Sequence, residues 1–511
     1  MRKPFPVCFF AALLLLLAGG WAAAQQAALT ILHTNDAHSH LLPFSYPAVA
    51  PPGSPLEGLT VRQNIGGIAR RSTLVKRIRE EQSRRGIPVW VVDAGDTTDG
   101  TPFSTEYRGQ ADAEAMNALG YDFGTLGNHE FNMPLEPFKK YLGLVRFPLL
   151  GANVKEISGG KGLLADSLIR PLGRLKIGLF GIITRETRDY PAAKGNFLFE
   201  DEIETAGRMV KALRPKADIV VAVSHAGEEL DQAIARKVEG IDVIIGGHSH
   251  SRMPIGEFVW RSEELIADQV NGTVIVQAHQ WGGELGRLDL LFSRDKKRTW
   301  HVDRFRARLI PVTPDIEEDA AVAAVVDRYW KPIAGRYGEV VGQALDDFAV
   351  RGQDLANYNL FADLVREAVG TEIDFENLGG IRAPLIKGSI TMADIINADP
   401  FDNEVVTFTV TGRQIREILR RTRPAVSGIR YRMENREVVE LTINGQPVDE
   451  TRVYTGSTNS YFAGRSMKGI EVQSTGKMRR ETVKEMIRKK GKVKPVYDDR
   501  RVILDPGNSN Y

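Results

Sequence analysis

Between Leu29 and about Leu309 the chain alternates short apolar, largely β-branched runs with polar turns and helical stretches. Leu29 to Leu32, Val89 to Val92, Ile219 to Val223 and Ile241 to Ile245 are short apolar runs, each read as a strand that ends in a polar turn. Helical stretches fall at Gly67 to Ser83, Asp112 to Leu119 and Thr205 to Leu213. This alternation predicts an α/β layer architecture. Parallel strands carry their carboxyl ends to one edge of a sheet, so residues that follow these runs converge there although far apart in sequence.

The pattern then changes. Leu42 to Gly58 carries Pro43, Pro47, Pro51, Pro52 and Pro55, a density that predicts an irregular surface loop. Pro314 to Tyr337 reads as a helix start followed by a long amphipathic helix, with apolar positions at Ile316, Ala320, Ala323, Val326 and Tyr329; it suits an interdomain connector or a core helix. Beyond it, helices are predicted at Asn359 to Val369, Ser389 to Ile396, Gln414 to Arg421 and Arg480 to Lys489. Strands are predicted at Glu404 to Val410, Val438 to Ile443 and Val453 to Gly456. The second half is therefore a mixed α and β domain with its own core. The expected division is residues 1–24, 25–313, 314–337 and 338–511.

Composition refines this picture. A chain of 511 residues suggests two domains, and 42% hydrophobic with 26% charged residues is ordinary for a globular protein. Residues 1–24 differ: Arg2 and Lys3 precede the apolar run Val7 to Leu17 and then Ala22, Ala23 and Ala24, which reads as a secretory signal cut after Ala24. The expected location is periplasmic or secreted, without a stable membrane anchor. The single cysteine, Cys8, lies inside that signal, so the mature chain would be stabilised by core packing and not by disulfides. Removing Arg2 and Lys3 from the 67 basic residues leaves 65, against 65 acidic ones. A balance of zero gives no argument for binding nucleic acid or a membrane surface. The cationic run Arg488 to Lys494 fits a solvated helix end.

The polar turns carry the chemistry. Asp36 and His38, Asp96, Asn128 and His129, His225, and His248 and His250 each follow a strand-like run. Asp, Asn and His suit divalent ions of hard or borderline character, and a pair of ions needs one carboxylate able to bridge them. Asp96, in a Gly-Asp turn past a buried strand, is the natural bridge. His248 and His250 follow Gly246 and Gly247, where missing side chains let the backbone approach closely. A lone Asp-x-His is more often an Asx turn, and His225 alone would equally suit a cap or the core. Their succession in strand-end positions is what favours a metal site. His33, His40, His279 and His301 belong to no such pattern and take structural or surface roles by default.

Leu29-Thr-Ile-Leu-His-Thr-Asn-Asp-Ala-His-Ser-His-Leu41 and Tyr121 to Asn132, ending Leu126-Gly-Asn-His-Glu-Phe-Asn132, resemble the two signatures of the secreted 5′-nucleotidase family. The resemblance continues through Gly66 to Arg70, Asp93 to Asp96, Gly246 to His250 and Asn377 to Arg382. It implies an α/β fold: a calcineurin-like, four-layer metallophosphatase β-sandwich flanked by helices, then a mixed α+β substrate-binding domain. It also implies one metal held by Asp36, His38, Asp96 and His250, and a second held by Asp96, Asn128, His225 and His248. Two such ions, about 4 Å apart, would bind phosphate and acidify the attacking water. Zn, Mn, Co or Fe suit these donors equally. His129 matches the catalytic histidine, which stabilises charge on the phosphoryl oxygens or the leaving group.

Two departures qualify the resemblance. Asn132 stands where the family places an Asp that orients and charges this histidine; an amide oxygen still accepts the imidazole hydrogen bond but does not favour the imidazolium, so altered pH dependence is expected. Phe401 matches the first of two rings that clamp the base, although it also suits a core position. The segment Tyr461 to Gly469 offers no clear counterpart of the second ring. Arg382, Arg351 and Asn377 match residues of the substrate pocket, guanidinium suiting phosphate through paired donors, while Arg351 equally suits the surface. The expected activity is release of phosphate from nucleoside 5′-monophosphates, extending to nucleotide sugars or cyclic nucleotides. The alternatives are the same dimetal hydrolysis of another organophosphate or a sulfur-containing ester, and a binding protein that has lost turnover.

Overall fold

The computed structural model describes residues 26–50, 54–159, 164–260, 272–295, 298–351 and 353–504; the expected secretory signal lies outside them. Contacts divide the chain into two compact units that are not consecutive in sequence. The first comprises Met1–Ala37, Ile68–Thr97 and Ala113–Val322, and the second His38–Gly67, Thr98–Asp112 and Ala323–Tyr511.

The first unit contains two six-stranded sheets. In one, Gln26–Thr34, Val89–Asp93, Phe123–Thr125 and Leu149–Leu150 run parallel, and Glu284–Arg294 and Trp300–Pro311 extend the edge antiparallel. In the other, Leu175–Ile183, Ile219–His225, Val243–Ile245 and Gly272–Val276 run parallel between antiparallel edge strands. Strand period decides which residue faces which layer. Ile219, Val221 and Val223 enter a cluster that also holds Ile31, Val92 and Phe123, so the sheets pack face to face. Val220 and Ala222 point the other way, against Met209, Val210 and Leu213 of the helix Glu202–Leu213 and Ile234 and Ala235 of the helix Glu228–Lys237. Burial on both faces explains why these strands read as continuous apolar runs. Each fully buried Val or Ile contributes roughly 1.5–3 kcal/mol.

The second unit is mixed, as expected. Its five-stranded sheet orders Ala425–Ser427, Ile373–Glu376, Val453–Asn459, Glu404–Thr411 and Val472–Met478, with parallel and antiparallel pairs. Two cores serve it, one around Phe375, Phe408 and Ile418 and one around Phe361, Val365 and Ile487.

Two local expectations need correction. The stretch 314–337 is not one long helix: Ala320–Trp330 and Ala334–Tyr337 are separate, with Pro332 between them, where a missing N–H and a ring clash end the first. The helix expected at Ser389 to Ile396 begins later, at Met392–Ala398. Thr391 caps it reciprocally with Asp394, and Gly388–Thr391 pairs as a strand with Val340–Ala344. Among the described residues no helix is long and apolar enough to cross a membrane.

Candidate metal centre and substrate residues

In the first unit the strand ends deliver their polar residues to one place. Asp36 follows Gln26–Thr34, Asp96 follows Val89–Asp93, Asn128 and His129 follow Phe123–Thr125, His225 closes Ile219–His225, and His248 and His250 follow Val243–Ile245. Sharp left-handed turns aim them, with φ of 51° at Asp36, 54° at Asp96, 78° at His248 and 54° at His250. A residue with a Cβ takes this conformation at about 1–2 kcal/mol. Glycine permits the close approach: a Cβ on Gly127 would lie 2.0 Å from Asp96 Oδ1, and one on Gly247 2.7 Å from Ala94 O.

Two buried carboxylates organise the cluster. Asp36 Oδ1 lies 3.2 Å from His250 Nε2, and Oδ2 accepts the backbone N–H of His248 at 2.9 Å and Asn35 Nδ2 at 2.6 Å. Burial opposes its charge, but His250 outweighs that and holds the carboxyl below the usual range. Asp96 Oδ2 lies 3.2 Å from His225 Nε2 and 3.9 Å from His129 Nε2, while Oδ1 accepts the His129 backbone N–H at 2.8 Å. Ligand atoms of Asp96, His225 and His248 all lie within 4.8 Å of one another.

His225 Nδ1 donates to Ala94 O at 2.7 Å, which turns Nε2 toward Asp96 and toward Asn128 Oδ1 at 3.2 Å. Asn128 Nδ2 in turn donates to Tyr190 Oη at 2.9 Å, so its oxygen faces the cluster. Burial disfavours a proton on His225, yet the carboxylates of Asp96 and Asp36 push its pKa up to about 10. His248 moves the opposite way, to about 4, by burial and then by the charge of His225. The buried carboxylates thus attract positive charge strongly enough to hold a proton on a fully buried imidazole. A divalent ion at the same Asp, Asn and His donors supplies that charge and displaces the proton, so these residues fit a metal.

His129 opens the 3₁₀ turn His129–Asn132, whose three residues per turn put Asn132 on the same side. Its ring meets that of Tyr190 edge-on at 6.3 Å between centroids. Sequence reasoning missed three supporting residues. Glu130 is fully buried and accepts the backbone N–H groups of Gly127 at 2.6 Å and Asp96 at 3.1 Å, joining the turns that carry Asn128 and Asp96. Asn35 binds Asp36, the carbonyl of His279 and the N–H of Ala278. Adjacency to a ligand was the only signal for both of these, and Tyr190 had none.

In the second unit, His38 also has a left-handed backbone, with φ of 46°. Its Nδ1 lies 3.2 and 3.1 Å from the carbonyl oxygens of Thr98 and Asp99, so Nδ1 carries the proton and Nε2 offers its lone pair. Arg382 Nη2 lies 3.3 Å from that Nε2. Asn377 Oδ1 accepts Asn459 Nδ2 at 2.8 Å. Phe401 is half-buried, and its carbonyl accepts Arg480 Nη1 at 3.4 Å. Arg351 is exposed, with its guanidinium carbon 4.2 Å from the centre of the Tyr497 ring. Within the segment lacking a clear second ring, Phe462 is buried, whereas Tyr461 is 49% exposed at the start of the helix Ser460–Ser466.

Arg479, 1% exposed, ties this region together. It donates to both oxygens of Asp399 at 2.7 and 2.5 Å, to Gly380 O at 3.0 Å and to Glu376 Oε1. Its backbone N–H donates to Asn403 O at 2.9 Å. The segments bearing Asn377, Arg382 and Phe401 therefore share one buried guanidinium.

Comparison with known proteins matches residues 29–252 to the calcineurin-like phosphoesterase family and residues 340–471 to the 5′-nucleotidase C-terminal domain. The chain is 29% identical to the trifunctional nucleotide phosphoesterase protein YfkN of Bacillus subtilis over 92% of its own length, but spans only 34% of that protein. It is 28% identical to a 5′-nucleotidase of Vibrio vulnificus, with 85% of this chain and 84% of that one covered. Among solved structures, a 5′-nucleotidase precursor from Thermus thermophilus superposes with a TM-score of 0.81 at 27% identity, covering 93% of this chain and 99% of that one.

Proposed function

Because this chain belongs to the family that joins a calcineurin-like phosphoesterase domain to a 5′-nucleotidase C-terminal domain, and is a metal-dependent hydrolase of phosphoric esters, we propose that it releases phosphate from nucleoside 5′-monophosphates at a dimetal centre. The observation that carries the reading is the buried pair Asp36 and Asp96 among neutral-oxygen and imidazole donors, with ligand atoms of Asp96, His225 and His248 all within 4.8 Å of one another. Asp36, His38, Asp96 and His250 would hold one ion, and Asp96, Asn128, His225 and His248 the other. Bound divalent ions supply charge for the phosphoryl oxygens and acidify water.

The chain's own residues do the rest. His129, positioned through its N–H on Asp96, places a protonated ring against the phosphoryl or leaving oxygen. Asn132 orients that ring without charging it. Arg382 presents paired donors to the substrate, Asn377 assists, Phe401 supplies a face for the base and Arg351 a cation for the anionic end. Nucleotide sugars and cyclic nucleotides fall within the same reach. The reading includes a secretory signal in residues 1–24 and a periplasmic or secreted location.

A panel of phosphate esters tests this, with protein stripped by a chelator and reloaded with Zn, Mn, Co or Fe. Metal-dependent release from a 5′-monophosphate, with kcat/KM well above that for a simple aryl phosphate, is expected. Equal rates on both would remove the nucleotide specificity, and full activity after stripping would remove the metal centre.

A further inference from the structure

The second unit holds a cavity of about 650 Å³ that shares no residue with the candidate site. Its walls come from the helix Ala356–Val369, the start of the strand Ile429–Glu434 with the end of Glu437–Ile443 and the turn at Asn444 and Gly445 that follows it, and the chain from Lys490 to Arg500. Six cations line it: Arg366, Arg430, Lys490, Lys492, Lys494 and Arg500. Only three acids do, Asp363, Glu367 and Asp498, and all are already paired. Lys490 pairs with Glu367 at 2.6 Å, and Arg500 pairs with Asp363 at 2.7 Å and Asp498 at 2.9 Å.

The other four cations form no ion pair among the described residues. Two of them are nevertheless fixed. Arg366 directs Nε to Ser427 Oγ at 2.7 Å, and Ser427 donates its own proton to Asp363 at 2.5 Å. Arg430 directs Nη1 to the carbonyl of Asp498. The remaining guanidinium donors are left for something else. Lys492 and Lys494 flank Val493, and all three line the cavity, the valine buried and both lysines exposed. This excess sits in a chain whose formal net charge is only +2.

We propose that this cavity binds a small polyanion carrying two or more adjacent phosphate groups. Four cations outside ion pairs, on three separate segments, suit several neighbouring charges better than one, and two partly fixed guanidiniums offer paired donors at reduced entropic cost. The apolar lining is aliphatic, from Leu360, Leu364, Ile429 and Val493, so phosphate is recognised and not a stacked base. The volume is that of an ordinary small-molecule site.

Isothermal titration of the metal-loaded full chain with tripolyphosphate tests this, at about 0.15 M salt so that exposed charges alone are screened. Saturable one-to-one binding is expected, weakened at least about tenfold in Lys492→Glu/Lys494→Glu and in Arg366→Met, and retained in Asp96→Ala. Normal aryl phosphate hydrolysis by the cavity variants would show that they fold. Binding lost in Asp96→Ala but intact in the cavity variants would place the anion at the metal centre and overturn the proposal. Absence of saturation at millimolar tripolyphosphate would overturn it too.

Discussion

Replacing Arg479 by Met keeps the length of the side chain and removes the charge that Glu376 and Asp399 share. Both carboxylates are essentially fully buried. Breaking a buried pair from one side costs about 3–5 kcal/mol, because the partner charges stay desolvated. For a unit of this size that lowers the thermal midpoint by roughly 10 °C or more. The deficit depends on pH. Burial already raises the Glu376 carboxyl, and Arg479 is the main influence opposing that rise; without the guanidinium the pKa climbs further. A carboxyl whose folded pKa exceeds its unfolded value binds protons on folding, so its contribution falls as pH rises above the unfolded value. The variant should therefore be closer to wild type near pH 5 than near pH 8. Adding Glu376→Gln should recover part of the loss by removing one uncompensated charge. The kinetic signature is separate: with Gly380 O and Asp399 released, KM for a nucleotide should rise roughly tenfold, as for loss of one charged hydrogen bond, while aryl phosphate turnover persists. Thermal scans at the two pH values and paired kinetics check this. An unchanged midpoint, or a deficit that grows on acidification, would refute the reasoning.

Five further substitutions probe the site. Asp96→Ala should abolish phosphohydrolysis and lose bound metal, since in the proposed centre one carboxylate serves both ions; metal analysis showing two ions and normal turnover would remove Asp96 from the bridge. His129→Ala should retain metal and lower kcat by roughly 10²–10⁴-fold, which steady-state kinetics of the metal-loaded variant measures directly. Arg382→Ala, and separately Phe401→Ala, should raise KM for nucleotides while aryl phosphate hydrolysis changes less; equal loss on both substrates would put the residue in the general phosphate site or the fold. Asn132→Asp adds negative charge beside His129 and favours its protonated form, so the alkaline limb of the kcat profile should move to higher pH. An unmoved limb in a folded, metallated variant would uncouple the two residues.

The two-layered sheet core and the ligand turns were legible for one physical reason. Strands buried on both faces appear as unbroken apolar runs, and the polar residue ending each run has only the sheet edge to occupy, as His225 and Asp96 show. What the sequence conceals is tertiary pairing. Arg479 looks like one more cation at the start of a basic helix, and only the fold brings it to Asp399, eighty positions away. Glu130 looks like helix-turn polarity until Gly127 and Asp96 are seen to share its oxygen. Local punctuation was also underweighted: Pro332 divides the expected connector, and the Thr391 cap delays a helix by three residues because a capping box outranks apolar periodicity at a helix start.

The left-handed backbone at Asp36, His38, Asp96, His248 and His250 bears on how such a site persists through evolution. Each strained position costs about 1 kcal/mol, so the cluster is a standing debt that drift toward glycine would relieve. Asp tolerates this conformation better than His, whose replacement by Gly at 248 or 250 would relax the turn. A lineage released from selection for hydrolysis should lose its histidines first and gain thermal stability while doing so.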